Sequence, residues 1–491
     1  MNSVRRSIFW SFVQRYLGLV ISFLTILILS RLLTPEEIGI YSVGLAFVAL
    51  AHVLRDFGVG DYIVQEKELT EARMKTAFGV SLVIGWTIGL LVILFSEPIS
   101  WLYGEPGLRR VLQVLGLSFF VIPFSLPVLA LLRRQMAFHI RARITVTAAV
   151  VHAVFAVTLA ATGFSYMSLA WASLAGVITT ALLASRHRPA GLGFWPSLAE
   201  WKHVSSFGGM ATGTMLLTVL GERAPDFVLG RVLGFGAVGM YSRGESIVNL
   251  FREGALSAIG PVVMPAFSSR HRAGADIKPD YLKGIAYLTG IAWPFFGFVS
   301  LMAYPVIRIL FGPQWDAAVP VAQILCLGAA LAVPWEFGNH ALMAVGQVRK
   351  EMNVQIITVP GQIAVLIILA SHGIEMAALA AVFRYAMLSA VRTHYLKQQF
   401  NIGFFDIVRS TSKSLVLALG TCVAPAAVAM TQEIGPGNLW LPLLSALGGA
   451  GVLWLLAIFV LDHPLKDEVL MYANNARRFL ARGNGQLGEP D

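Results

Sequence analysis

Charge is what this chain lacks. Only 13% of its 491 residues are Asp, Glu, Lys or Arg, about half the share found in a soluble domain. In their place, 56% of residues are hydrophobic and the mean hydropathy is +0.71. So few charges cannot cover the surface of a water-soluble protein of this length, and the chain reads as a polytopic membrane protein. The net charge of +10 would suggest nucleic acid in a soluble chain; here its placement matters more than its sum, and no nucleic-acid partner is expected. Cysteine is also scarce. Cys326 and Cys422 both lie in apolar stretches, which leaves no disulfide framework, and with no HExxH or CxxC spacing neither a metal nor a cofactor is expected. Without a GxxxxGK[ST] loop the chain is not expected to hydrolyse ATP, and no connection is long enough to hold a second folded domain.

What is present is apolar runs. A bilayer core of about 30 Å needs roughly 20 apolar residues per helix. That rule predicts fourteen spans, at 10–31, 38–58, 76–96, 111–132, 144–163, 166–184, 207–230, 238–260, 284–304, 318–341, 354–371, 374–396, 411–431 and 439–461. Arg5 and Arg6 precede the first run, which lacks a small-residue cleavage site and is too long for a signal-peptide core, so it is read as a retained helix. Most of the 37 Lys and Arg fall on one side of this scheme, which places the N- and C-termini in the cytoplasm.

An internal repeat organises the spans. Residues 29–50 align without a gap on residues 229–250, with nine of 22 positions identical, where chance in such a composition gives roughly two. The shared positions include Leu29/Leu229, Arg31/Arg231, Gly39/Gly239, Tyr41/Tyr241, Ser42/Ser242 and Gly44/Gly244. Leu102-Tyr103-Gly104 echoes Leu310-Phe311-Gly312 further on. Each repeat holds six spans, an even number, so both enter from the same side as a parallel repeat. The expected organisation is an N-terminal six-helix lobe at 1–184, a linker at 185–206 and a second lobe at 207–396. Two further helices at 397–461 and a cytoplasmic tail at 462–491 complete it.

Thr34-Pro35-Glu36-Glu37 carries the signature of a helix start, with Thr34 as N-cap, Pro35 at the first position and Glu37 closing a capping box. The equivalent Gly234-Phe235-Gly236-Ala237 cannot cap in this way. His52, His152 and His340 stand singly and read as packing or hydrogen-bonding residues. More informative are ionisable residues inside the spans, each costing ~3 kcal/mol at the bilayer centre unless it faces water or a partner. Glu222 and Asp226 share one face with Arg223 between them, and Glu222 lies about 13 Å below the boundary marked by Arg231. Glu245, Asn249 and Arg252 form a stripe at i, i+4, i+7, with Glu253 beside it and Arg243 nearer the other end. Arg384 lies about 15 Å into the twelfth span, and Arg15 and the pair Arg55-Asp56 fall in the inner third of the first two. Buried ion pairs, such as Arg223 with Glu222 or Arg252 with Glu245, explain single residues. The whole set is better explained by a solvated cavity, because so many charges are hard to bury dry. Arginine suits a phosphate ligand there through its planar two-pronged donor.

The run Leu29-Ser-Arg-Leu-Leu-Thr-Pro-Glu-Glu-Ile-Gly-Ile-Tyr41, with Arg55-Asp-Phe-Gly58 and Ile63-Val-Gln65, resembles the polysaccharide transporters of the MOP superfamily, the Wzx-type flippases. The resemblance extends over nearly the whole chain through the count of two six-helix lobes plus two. It implies an all-α fold of two bundles around a central cavity, in a bacterial inner membrane. The implied activity is non-enzymatic: flipping of a polyprenyl-diphosphate-linked glycan to the outer leaflet by alternating access, for exopolysaccharide, capsule or O-antigen assembly. A polysaccharide polymerase and export machinery are implied partners. Cavity candidates for substrate are Arg15, Arg55, Arg223, Arg243, Glu245, Asn249, Arg252 and Arg384; Asp56, Glu222, Asp226 and Glu253 are candidates for coupling or ion pairing. The alternatives are a drug or small-solute antiporter of the same superfamily, which usually stops at twelve helices, and a polytopic glycan polymerase or ligase, which usually carries a long outer loop.

Overall fold

Thr34 caps its helix as the sequence dictates. Its backbone N–H donates to Glu37 Oε2 at 2.7 Å, and the Glu37 N–H donates back to Thr34 Oγ1 at 3.3 Å. Gly234, at the equivalent place, makes no side-chain cap. The computed structural model describes residues 2–56, 58–188, 195–201 and 209–471. Parts of the expected linker and tail, 189–194, 202–208 and 472–491, lie outside the described residues, as do the side chains of Arg5 and Arg6.

The described chain is helical throughout: α1 (Asn2–Leu32), α2 (Pro35–Asp56), α3 (Val59–Gln65), α4 (Glu71–Tyr103), α5 (Pro106–Val121), α6 (Leu126–Arg134), α7 (Phe138–Ala161), α8 (Met167–Ser185), α9 (Gly209–Val232), α10 (Phe235–Phe251), α11 (Ser257–Arg272), α12 (Lys278–Leu301), α13 (Ala303–Leu310), α14 (Val319–Ala332), α15 (Glu336–Ala344), α16 (Val348–Ala370), α17 (Ile374–Phe400), α18 (Phe404–Thr431) and α19 (Trp440–Val460). No sheet is formed among the described residues beyond one isolated bridge, Gly435 to Asn438. Among the described residues, twelve helical runs are long and apolar enough to cross a bilayer. The other two expected spans, 207–230 and 238–260, are helical over their described residues but outside this set. Their helices α9 and α10 hold Glu222, Arg223, Asp226, Arg243 and Glu245, too much charge for a span facing lipid on all sides.

The chain divides into two compact units. The first comprises Met1–Ala255, Leu310–Val321 and Glu351–Ala381. In it α1 packs along α7, α7 along α8 and α4 along α5, while α2 lies against both α9 and α10, so the repeat partners α2 and α10 are direct neighbours. Residues 195–201 cross α4, with the Ser197 N–H donating to Lys75 O at 3.2 Å and Arg73 paired to Glu200 at 3.2 Å.

The second unit comprises Leu256–Ile309, Ala322–Lys350 and Val382–Asp491. Its α12 packs along α18, and α18 along α19. Since lipid offers apolar side chains as good an environment as a partner helix does, hydrogen bonds and small residues hold such helices together. Thr289 Oγ1 lies 2.9 Å from Ser414 Oγ, which lies 2.9 Å from His463 Nε2. Trp454 Nε1 donates to Gly290 O at 2.9 Å.

Candidate substrate site

The expected polar residues of the first unit converge from α1, α9 and α10. The Arg15 guanidinium donates to Glu253 O at 3.2 Å, and Arg252 stands 3.9 Å from Glu222 Oε1, both side chains about 40% exposed. Arg223 pairs with Asp226, one turn on, at 3.5 Å. Arg223 thus pairs with Asp226 and not with its sequence neighbour Glu222, and Glu222 lies beside Arg252 instead. Two features make the exchange. Neighbours in sequence point about 100° apart on a helix, so Arg223 reaches its i+3 partner instead. After Phe251 the helix widens to a π turn over Arg252–Leu256, which changes the direction of Arg252. Such turns recur at functional sites. A half-exposed pair at this distance contributes ~0–1 kcal/mol, so a competing anion can take Arg252 from Glu222 at little energetic cost. Glu245 and Asn249 are partly exposed on α10.

Arg243 has a different environment. It is 8% exposed, and its guanidinium carbon sits 5.1 Å from the Trp315 ring and 5.7 Å from the Phe311 ring, contacts worth roughly 0.5–2 kcal/mol. Trp315 Nε1 donates to Ser30 O at 2.7 Å, and Gln314 Nε2 to Leu33 O at 3.0 Å. The repeat echo at Tyr103 acts in the same way on the other half, its hydroxyl donating to Phe227 O at 3.1 Å. Trp315, four residues after the landmark Phe311, and Tyr103 therefore each bond a carbonyl of the opposite repeat. Arg243 belongs to this packing.

Arg55 and Asp56 pair with each other at the end of α2. They line a cavity of about 840 Å³ together with Asp61, Gln65, Arg133 and Arg141. Arg133 and Arg141 fall between the expected spans 111–132 and 144–163, and nothing in their spacing reveals that α3, α6 and α7 gather them beside Arg55. Arg384 lies in the second unit, on α17, with its guanidinium 5.9 Å from the Tyr385 ring.

A family model described as "Polysaccharide biosynthesis protein" matches residues 28–320. The chain belongs to the polysaccharide biosynthesis protein family. Among curated members of related sequence, the lipopolysaccharide biosynthesis protein WzxC of Escherichia coli K12 is 25% identical over 327 residues, 65% of either chain. The succinoglycan biosynthesis transport protein ExoT of Rhizobium meliloti is 27% identical over 356 residues, 70% of either chain. The match thus spans just under two thirds of WzxC's length. The fold of this polysaccharide biosynthesis protein is similar to that of the lipid II flippase MurJ in an inward closed conformation. The TM-score is 0.74 at 14% identity, over 94% of this chain and 99% of that one. It is also similar to an inward-facing MATE multidrug transporter of the MOP superfamily, with a TM-score of 0.64 at 16% identity, over 78% of this chain and 94% of that one. The all-α membrane fold expected from the resemblance is the one observed.

Proposed function

We propose that this protein flips a polyprenyl-diphosphate-linked oligosaccharide from the cytoplasmic to the outer leaflet of a bacterial inner membrane, feeding exopolysaccharide, capsule or O-antigen assembly. The observation that carries this reading is the convergence of Arg15, Glu222, Arg252 and Glu253 from α1, α9 and the π turn. Their guanidinium groups are polar and accessible within helices that belong in a membrane. Arginine offers a diphosphate a two-pronged set of donors, and the acid partner returns when the ligand leaves. The polyprenyl tail stays in lipid, the glycan needs only water, and no bond is made or broken. Transport then needs alternating access, in which the repeat halves 1–184 and 207–396 rock about a site near the midplane. Residues 397–461 supply two helices beyond those halves, and both termini face the cytoplasm. Arg223, Asn249 and Arg384 serve as further cavity candidates, with Asp226 as a coupling candidate. A polymerase and export machinery are the downstream partners.

The test is reconstitution of the purified protein in vesicles with a fluorescent polyprenyl-diphosphate sugar, read by access of the sugar to an added enzyme. Transfer above that of empty vesicles is expected. Transfer of cationic drugs with none of the glycolipid would sink this reading in favour of the antiporter.

A further inference from the structure

The cavity at the end of α2 holds three guanidinium groups and two carboxylates. Arg55 pairs with Asp56, and Arg133 pairs with Asp61 at 3.2 Å. Arg141, half-buried in the first turn of α7, makes no side-chain hydrogen bond or ion pair among the described residues. Arg133 acts on it as a like charge. A guanidinium held partly out of water beside another cation is unfavourable by itself, and an anion in the cavity relieves it. Gln65 and Thr212 bring further donors to the wall, which Gly58 and Gly60 also line. At about 840 Å³ the space falls in the ~300–1,000 Å³ range of small-molecule sites.

We propose that this cavity is a phosphate-headgroup subsite, separate from the Arg15–Arg252 cluster, with Arg141 supplying the charge that no carboxylate balances. The chemistry it selects is a phosphate or diphosphate ester on a lipid. The flippase reading points to the diphosphate of the glycolipid; a bulk anionic phospholipid offers the same headgroup chemistry. Because Asp56 and Asp61 hold the other two arginines, a singly charged phosphodiester neutralises the site, whereas a diphosphate also draws Arg55 or Arg133 from its acid.

The full-length detergent-solubilised protein serves for the test, with farnesyl diphosphate and phosphatidylglycerol as separate probes in a titration of binding. Arg141→Ala is expected to weaken farnesyl diphosphate at least tenfold, with Arg141→Lys recovering part of the loss because it lacks the planar fork. Arg109→Ala, at an exposed pair with Glu97 away from both clusters, is expected to leave this affinity unchanged. If phosphatidylglycerol binds as tightly and shows the same Arg141 dependence, the subsite stands and its occupant is a phospholipid. Should Arg141→Ala disturb folding, Thr212→Val replaces it, with a several-fold loss expected. Unchanged affinity for both probes in a folded Arg141→Ala protein overturns the proposal. Since these readouts are binding and not transfer, failure of the flippase reading leaves the result interpretable, and the reverse holds as well.

Discussion

Gly39 and Gly239, related by the repeat, make reciprocal contacts. A methyl group on Gly39 would lie 1.8 Å from Phe235 O, and one on Gly239 would lie 2.0 Å from Pro35 O. Phe235 and Pro35 are themselves repeat partners, so α2 and α10 meet at their first turns about a local two-fold, backbone against backbone. Only glycine permits that approach. The meeting point lies at the end of the helices where Tyr103 and Trp315 also tie one repeat to the other.

Even alanine at this crossing must push α2 and α10 apart. Gly39→Ala or Gly239→Ala is expected to cut glycan export at least tenfold while the protein still accumulates in the membrane. Gly236→Ala serves as control, since a methyl there meets nothing within 4 Å. Export assays with parallel immunoblots decide it; normal export from Gly39→Ala would show that this closed contact is dispensable to the cycle.

Removing Arg252 should impair export without unfolding the protein, because its pair with Glu222 is long and half-exposed and contributes ~0–1 kcal/mol. Lysine should restore export only in part. Glu222→Ala added to Arg252→Ala should not rescue. Rescue by that second change would mean that the pair serves structure and not substrate.

Trp315 is fully buried and tied to Ser30. Trp315→Ala should destabilise the first unit by about 3–5 kcal/mol, whereas Trp315→Phe should lose mainly the hydrogen bond, ~1 kcal/mol. Thermal unfolding in detergent separates the two; equal midpoints for both variants would contradict this division.

Stability should fall in acid because of His463. Burial, with Lys413 nearby, pushes its imidazole down to about 4 from the usual 6.5. Between those values the unfolded chain binds a proton that the folded one does not, so the contribution is fully present above about pH 6.5 and is lost as pH falls toward 4. His463→Asn should flatten that slope in unfolding midpoints measured from pH 7 to 4.5. An unaltered slope would assign the acid sensitivity elsewhere.

Orientation is open to thiol labelling. Cysteines at the exposed positions Thr162 and Glu433 should react with an impermeant reagent applied to intact cells, and one at Arg349 should not. Labelling at Arg349 would invert the proposed topology.

The helices were legible because lipid imposes a simple rule. Apolar runs of the right length, Thr34 with Glu37 at a helix start, and the 29–50/229–250 repeat are local or periodic signals that survive in one dimension. Which charges meet was not legible. Glu222 could be placed on a face of α9, yet its partner proved to be Arg252, 30 residues on and redirected by a π turn. Arg133 and Arg141 looked like loop charges until three helices gathered them beside Arg55.

By itself, then, the sequence determined a polytopic all-α membrane protein with an internal repeat at 29–50 and 229–250. Composition and hydropathy set the solvent each segment can tolerate, and that constraint acts residue by residue. The tertiary structure alone decided the pairing of intramembrane charges, the removal of Arg243 into an aromatic bracket, and the reciprocal seating of Gly39 and Gly239. Those depend on distances between segments far apart in the chain, set by packing whose energy no local window contains.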